Sequence, residues 1–170
     1  MKKKVMIASI LLCFIVGLGI AYVFPYEKEI NSTLDGLQLD FYNEETQSPV
    51  KVSIRGTAEY RYFTLREFDG QIKFSDTRIP WNEKSVHIQF QRGLGHARTY
   101  NKENQLNSLQ SVGYVFTDDF DEIVILLHGE EGTTKIREYI VAPVKNRQQS
   151  AELAGKLSKN TSFSEIEWGN

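Results

Sequence analysis

The densest group of reactive side chains in the chain is Asp118-Asp119-Phe120-Asp121-Glu122, four carboxylates in five positions. Hard cations such as calcium take several oxygen ligands, and a loop at the entrance to a strand can supply them. The run lacks the alternating acids and central glycine of an EF-hand loop, and an acidic solvated turn ahead of a strand is the favoured reading of it. A histidine brought to these carboxylates would complete a metal site or a general base. His96 and His128 are the candidates, because His87 falls on the solvent side of its strand by parity. None of the three histidines stands in an H-E-x-x-H pair.

Stacking is the second available chemistry. Tyr60, Tyr62 and Trp81 are candidates to line a small-ligand site, although cross-strand aromatic packing is the ordinary role of such residues. The stretch Arg92-Gly93-Leu94-Gly95-His96-Ala97-Arg98 offers backbone amides and two cations to an anion, or simply a solvated strand bend. It has neither a third glycine nor a Gly-Lys-Ser/Thr sequence, so it is no phosphate loop. Nucleophilic catalysis finds no support: the one cysteine is Cys13, and no serine sits in a G-x-S-x-G context. The sequence calls for no cofactor.

These residues must be held by elements whose dominant signal, from about residue 34 to 142, is apolar alternation of period two. Val50, Val52 and Ile54, then Ile72 and Phe74, then Val86, Ile88 and Phe90 alternate with polar neighbours, as half-buried antiparallel strands do. AEYRYFTLREFDG reads as a strand, a link and a return, with Asp69-Gly70 as a turn. DTRIPWNE is a loop in which Trp81 plugs one end of the core. IVILL has no polar interruption and predicts a strand buried on both faces, forming a hairpin with KIREYIVA. Past Pro143 the period becomes helical: Ala151, Leu153, Ala154 and Leu157 mark one face over residues 147–158, and Asn146 with Gln149 is a capping signal. The expected fold class is α+β, an antiparallel sheet of about six or seven strands with a C-terminal helix packed on it. The organisation is a basic start and apolar segment over 1–25, a tether over 26–33, a domain over 34–158, and a loose tail over 159–170 with a docked tryptophan.

Residues Val5 to Phe24 carry no charge over 20 positions, enough helix for about 30 Å of hydrocarbon. Lys2 to Lys4 precede them and Glu27 is the first charge after them, which keeps the N-terminus in the cytoplasm and exports the rest. The expectation is therefore an N-terminal transmembrane helix acting as signal anchor, with the membrane as partner through Val5 to Phe24. The alternative is secretion after cleavage near Ala21, and lipidation at Cys13 is a further option that Leu12 before it and the apolar run after it disfavour. Three of the 20 basic residues precede the segment and all 22 acidic ones follow it, so the exported part carries a net charge of −5. It has no basic stripe for phosphates, which excludes nucleic acid as a partner class. It also has no cysteine, so disulfides play no part in it.

The lysine-led single span, FDGQIKF, GYVFTDDFDEIVILL and IVAPVKNRQQSAELAGKL together resemble small uncharacterised envelope proteins of Bacillus-type Gram-positive bacteria. The resemblance implies an envelope location and a strand-rich exported domain, and carries no catalytic residues with it. The expected function is a non-enzymatic, membrane-anchored extracytoplasmic protein that interacts with another cell-envelope component. The alternatives are an envelope hydrolase or metal-dependent enzyme using Asp118, Asp119, Asp121 and Glu122 with His96 or His128, and a small-ligand binding module using Tyr60, Tyr62 and Trp81.

Overall fold

The computed structural model of the chain describes residues 10, 11, 13–17, 19, 24–42, 47–76, 79, 82, 84–100, 109–128, 136–163 and 168. Among them, eight strands follow one another around a closed antiparallel barrel. They are β1 (Tyr26–Asp40), β2 (Gln47–Arg61), β3 (Thr64–Phe74), β4 (Ser85–Gln91), β5 (Leu94–Tyr100), β6 (Leu109–Phe116), β7 (Ile123–His128) and β8 (Ile136–Ala142). A helix over Arg147–Ser158 follows β8. This corrects the expectation of an α+β sheet of six or seven strands: the sheet closes on itself, and the added strand is β1. Closure leaves no local trace, because an alternating strand reads the same in an open sheet and in a barrel. Residues 26–33, expected to be a tether, are the first half of β1 and pair with β2 from Tyr26↔Tyr60 onward.

The expected transmembrane helix lies largely outside the described residues. Of its described positions, 10, 11, 13–17 and 19 are helical and exposed, and Phe24 is an exposed bend. Among the described residues no helix is long and apolar enough to cross a membrane.

The register fixes the barrel's shape. Ile140 pairs with Ile125, Ile125 with Val115, Val115 with Gly95, and Gly95 with Phe90. One step beyond the Glu67↔Gln89 pair, Phe90 stands opposite Arg66, at the bulge beside Tyr60, and Tyr60 pairs with Tyr26. Ile140 also pairs with Gln38. The circuit therefore returns to β1 twelve residues away from its start, and a stagger of that size over eight strands tilts them by about 45°. Among the described residues β8 consequently meets β1 from Leu37 to Asp40.

Inward side chains fill the barrel. Val52, Ile54, Phe68, Ile72, Ile88, Ile123, Ile125 and Ile140 are fully buried, and the ends are stopped by two loop residues, Phe120 and Ile79. Gly56 and Gly70 pair across β2 and β3. A Cβ on either would strike the other strand's backbone, and the Phe68 ring lies over the pair. Asp69-Gly70 is thus not the expected turn but the middle of β3, where missing side chains make room for a phenyl ring. The turn falls at Tyr62-Phe63, both in the left-handed region at φ 54° and 56°. A two-residue hairpin requires that geometry, and a bulky residue held there costs about 1–3 kcal/mol.

A second core lies outside the barrel. Leu37 and Leu39 of β1, Phe116 of β6, Val124 and Leu126 of β7, and Tyr139 and Val141 of β8 face Leu153, Ala154 and Trp168. The helix spans the expected residues and is capped as expected, with the Asn146 side chain accepting from the Gln149 amide at 3.0 Å. β7 serves both cores, which is why its first five residues are all buried. Trp168 is 8% exposed and donates from Nε1 to Ser158 Oγ at 3.0 Å, which pins the tail.

Candidate interaction groove

The acidic run is built around its one apolar member. Thr117, itself buried, donates from Oγ1 to the Glu122 carbonyl at 2.7 Å and accepts from the Phe120 amide at 2.8 Å. That closes the loop and, with Phe120 at φ 67°, turns the phenyl ring into the barrel end. There it meets Phe68 at 4.7 Å and Phe90 edge-on at 6.0 Å. Asp118, Asp119 and Asp121 stay exposed, and Asp119 Oδ1 accepts from the Asp121 amide at 3.1 Å. Glu122 is ion-paired to Lys156 on the helix. The hydrogen bond to Glu122 raises the Lys156 pKa, partly opposed by desolvation and helped by the charges of Glu122, Asp118 and Asp119.

The candidate histidines lie elsewhere. His96 and His128 flank Tyr114 edge-on at 4.9 and 5.7 Å on the outside of the barrel, with Phe163 on the same ring at 5.2 Å. His128 closes the strand that Ile123 opens, about 17 Å away at the rise of an extended chain. Its Nε2 is buried with no hydrogen-bond partner among the described residues, and desolvation lowers its pKa. Among the described residues, no group of three or more His, Cys, Asp and Glu side chains is placed to hold a metal ion. His87 points outward as parity predicts and pairs with Asp69 at 2.7 Å.

The aromatic candidates are also separated. Tyr60 points into the barrel end and stacks on Tyr26 at 5.2 Å, whereas Tyr62 stands exposed in the turn. The Tyr60 hydroxyl is buried without a partner among the described residues, and its pKa is raised by desolvation first and then by Asp119, Tyr26 and Asp121. Trp81 lies outside the described residues. Arg92-Gly93, the proposed anion loop, is the two-residue turn between β4 and β5, at φ 53° and 80°.

What the sequence does not announce is a groove beside β1. β8 ends at Ala142, and Pro143 has no N–H with which to continue the ladder. Beyond the four pairs of the seam, the further link among the described residues is the Val144 amide donating to the Asp35 carbonyl at 3.2 Å. From Tyr26 to Leu34, among the described residues, β1 is therefore hydrogen-bonded on one side only, to β2. The chain turns from Pro143 into the helix, which stands off from this free edge and leaves an open groove of about 680 Å³. Thr33, Leu34 and Asp35 form one wall and Lys145, Glu152, Leu153 and Lys156 the other. Its charges are mixed, so it suits a polypeptide better than an apolar small molecule. The one available signal was a proline directly after a strand and before an amphipathic helix. Comparison with protein-family models, with curated proteins and with solved structures finds no match for this chain.

Proposed function

We propose that the protein is a non-enzymatic, membrane-anchored extracytoplasmic barrel that binds an extended segment of another cell-envelope protein along the free edge of β1. The observation that carries this reading is the run Tyr26–Leu34, paired with β2 alone among the described residues, whose Thr33 and Leu34 border an open groove of mixed polarity. A row of unsatisfied backbone donors and acceptors recruits an added strand, and groove side chains select which one. Anchoring rests on the uncharged run Val5 to Phe24 behind three lysines, and on the resemblance to small envelope proteins of Bacillus-type Gram-positive bacteria.

Barrel polarity agrees with an anchored domain rather than a spanning one. Outward positions on β2 and β4 are Lys51, Ser53, Arg55, His87 and Gln89, and inward ones such as Val52, Ile54, Val86, Ile88 and Phe90 are apolar, the reverse of a lipid-facing barrel. The test is site-specific photo-crosslinking in intact cells from Thr33, with exposed Gln89 on fully paired β4 as control. A discrete adduct with an envelope protein from Thr33 alone is the expected result. No adduct from Thr33, or the same pattern from both positions, overturns the edge-binding reading. Intact mass decides the anchor: a full-length chain in the membrane fraction is expected, and a product beginning near Tyr22 in the medium overturns it.

A further inference from the structure

We infer that the β2–β3 hairpin tip, Tyr62-Phe63, is a second membrane contact that inserts into the headgroup zone beside the N-terminal segment. The inference rests on the anchored reading above. Three observations converge on it. The first is position. Tyr26 pairs with Tyr60 and stacks on it with the rings 10° from parallel, so the start of β1 is fixed to the end of β2. The apolar run ending at Phe24 therefore leads to the rim that bears Tyr62 and Phe63, two and three residues beyond Tyr60.

The second is the distribution of exposed apolar surface. Outside residues 10–16, the large apolar side chains exposed among the described residues are Phe24, Tyr26, Tyr42, Tyr62 and Phe63. All except Tyr42 belong to this rim, with Phe63 at 68% and Phe24 at 64%. Aromatic rings concentrate at membrane–water boundaries, where an apolar body and a polar edge are both accommodated. The Arg61 guanidinium lies 6.0 Å from the Tyr62 ring and can reach outward to phosphates as such side chains do at interfaces.

The third is backbone strain. The neighbouring hairpin on the same rim makes its left-handed turn with Arg92-Gly93, and glycine occupies the left-handed region without penalty. The β2–β3 hairpin makes the same turn with two aromatics, both at positive φ. Folding alone favours Asn-Gly there. Large rings at a strained, exposed tip fit a contact outside the domain. Glu27, Glu29, Asp119 and Asp121 near the rim disfavour attraction to anionic lipid, so the contact is with the apolar–polar boundary itself and does not depend on lipid charge.

The experiment uses the full chain with Cys13→Ser, reconstituted in phosphatidylcholine vesicles and carrying one nitroxide, at Phe63→Cys or at Tyr42→Cys. Flotation reports the anchor, and collisional relaxation by oxygen against a water-soluble nickel chelate reports depth. Expected is a chain that floats with the vesicles, a label at 63 several-fold more accessible to oxygen than to the chelate, and a label at 42 with the reverse preference. A floating chain with both labels in water overturns the tip contact and leaves the anchor standing. A chain that does not float overturns the anchored reading and this inference together. A second variant, Tyr62→Asn with Phe63→Gly, is read by thermal unfolding and by a label at Arg61→Cys. It is expected to keep or raise the melting temperature while that label moves into water. A label at 61 that stays at lipid depth in this variant also overturns the contact.

Discussion

The two cores of this protein are made differently although they share a strand. Inside the barrel, the side chains are mostly aliphatic, enter from all sides, and are sealed at the ends by Phe120 and Ile79. Under the helix, Leu37, Leu39, Val124, Leu126 and Leu153 are covered by an aromatic cluster in which Trp168 meets Phe41, Tyr139 and Phe116 at 5.9, 5.4 and 6.3 Å. The inner core is enclosed by covalently continuous, hydrogen-bonded walls that cannot move inward when a side chain is removed. The outer one is closed by a single helix and a tail that can settle onto the barrel. The difference teaches that equal burial does not mean equal cost of loss, because cost depends on how far the surroundings can relax.

Phe120→Ala should have the largest effect, because it removes a fully buried ring at 0% exposure and opens the barrel end. A loss of about 4–5 kcal/mol is expected in urea unfolding, at the upper end for large aromatic truncations. A loss below about 2 kcal/mol would show that the loop closes over the gap and that the plug is dispensable. Next come two neighbours on β7, Ile125 facing inward and Leu126 facing the helix, both at 0% exposure. Ile125→Ala is expected to cost about 4 kcal/mol and Leu126→Ala about 2–3 kcal/mol. Equal costs in the same urea titration would break the comparison.

The smallest effect is the pH dependence from His128 at the edge of the outer core. Desolvation holds its folded pKa below the ordinary 6.5, so the unfolded chain takes up the proton first as pH falls. Stability from this group is whole above pH 6.5 and declines as pH drops through 6.5 toward the folded value. Comparing the unfolding free energies of the parent chain and His128→Asn from pH 7.5 to 5 should show a shallower decline in the variant. Identical slopes would mean that the proton is accommodated in the folded state.

Most strands were legible because alternation records a buried face, as in Val50-Lys51-Val52-Ser53-Ile54, and the unbroken IVILL recorded two. The helix was legible from its period and its Asn146 cap. β1 was not, because its core side changes along its length. Ile30 faces the barrel, Leu37 and Leu39 face the helix, and the exposed half between Tyr26 and Asp35 is largely polar. The Tyr62-Phe63 turn was hidden because no propensity favours aromatics at positive φ, while Asp69-Gly70 advertised a turn that the Phe68 ring had taken over. The groove was illegible for a related reason: it is made by where β8 stops relative to β1, and stagger belongs to the closed sheet rather than to any segment. In the acidic run, charge drew the eye and Phe120 carried the structural role.

The seam between β1 and β8 also sets a timetable for biogenesis. Gln38 and Glu138, which share a hydrogen bond across it, are separated by 100 residues. At about 5–20 residues per second, a ribosome takes roughly 5–20 s to deliver the second after the first. Through that interval the nascent sheet cannot close, and β1, paired with β2 once Gln47–Arg61 has emerged, presents its other edge to whatever is nearby. Glu27, Lys28 and Glu29 at its start are the kind of charges that discourage pairing between copies. Any chain truncated before Ile136 would keep the open seam permanently, so quality control of this protein amounts to waiting for its last strand.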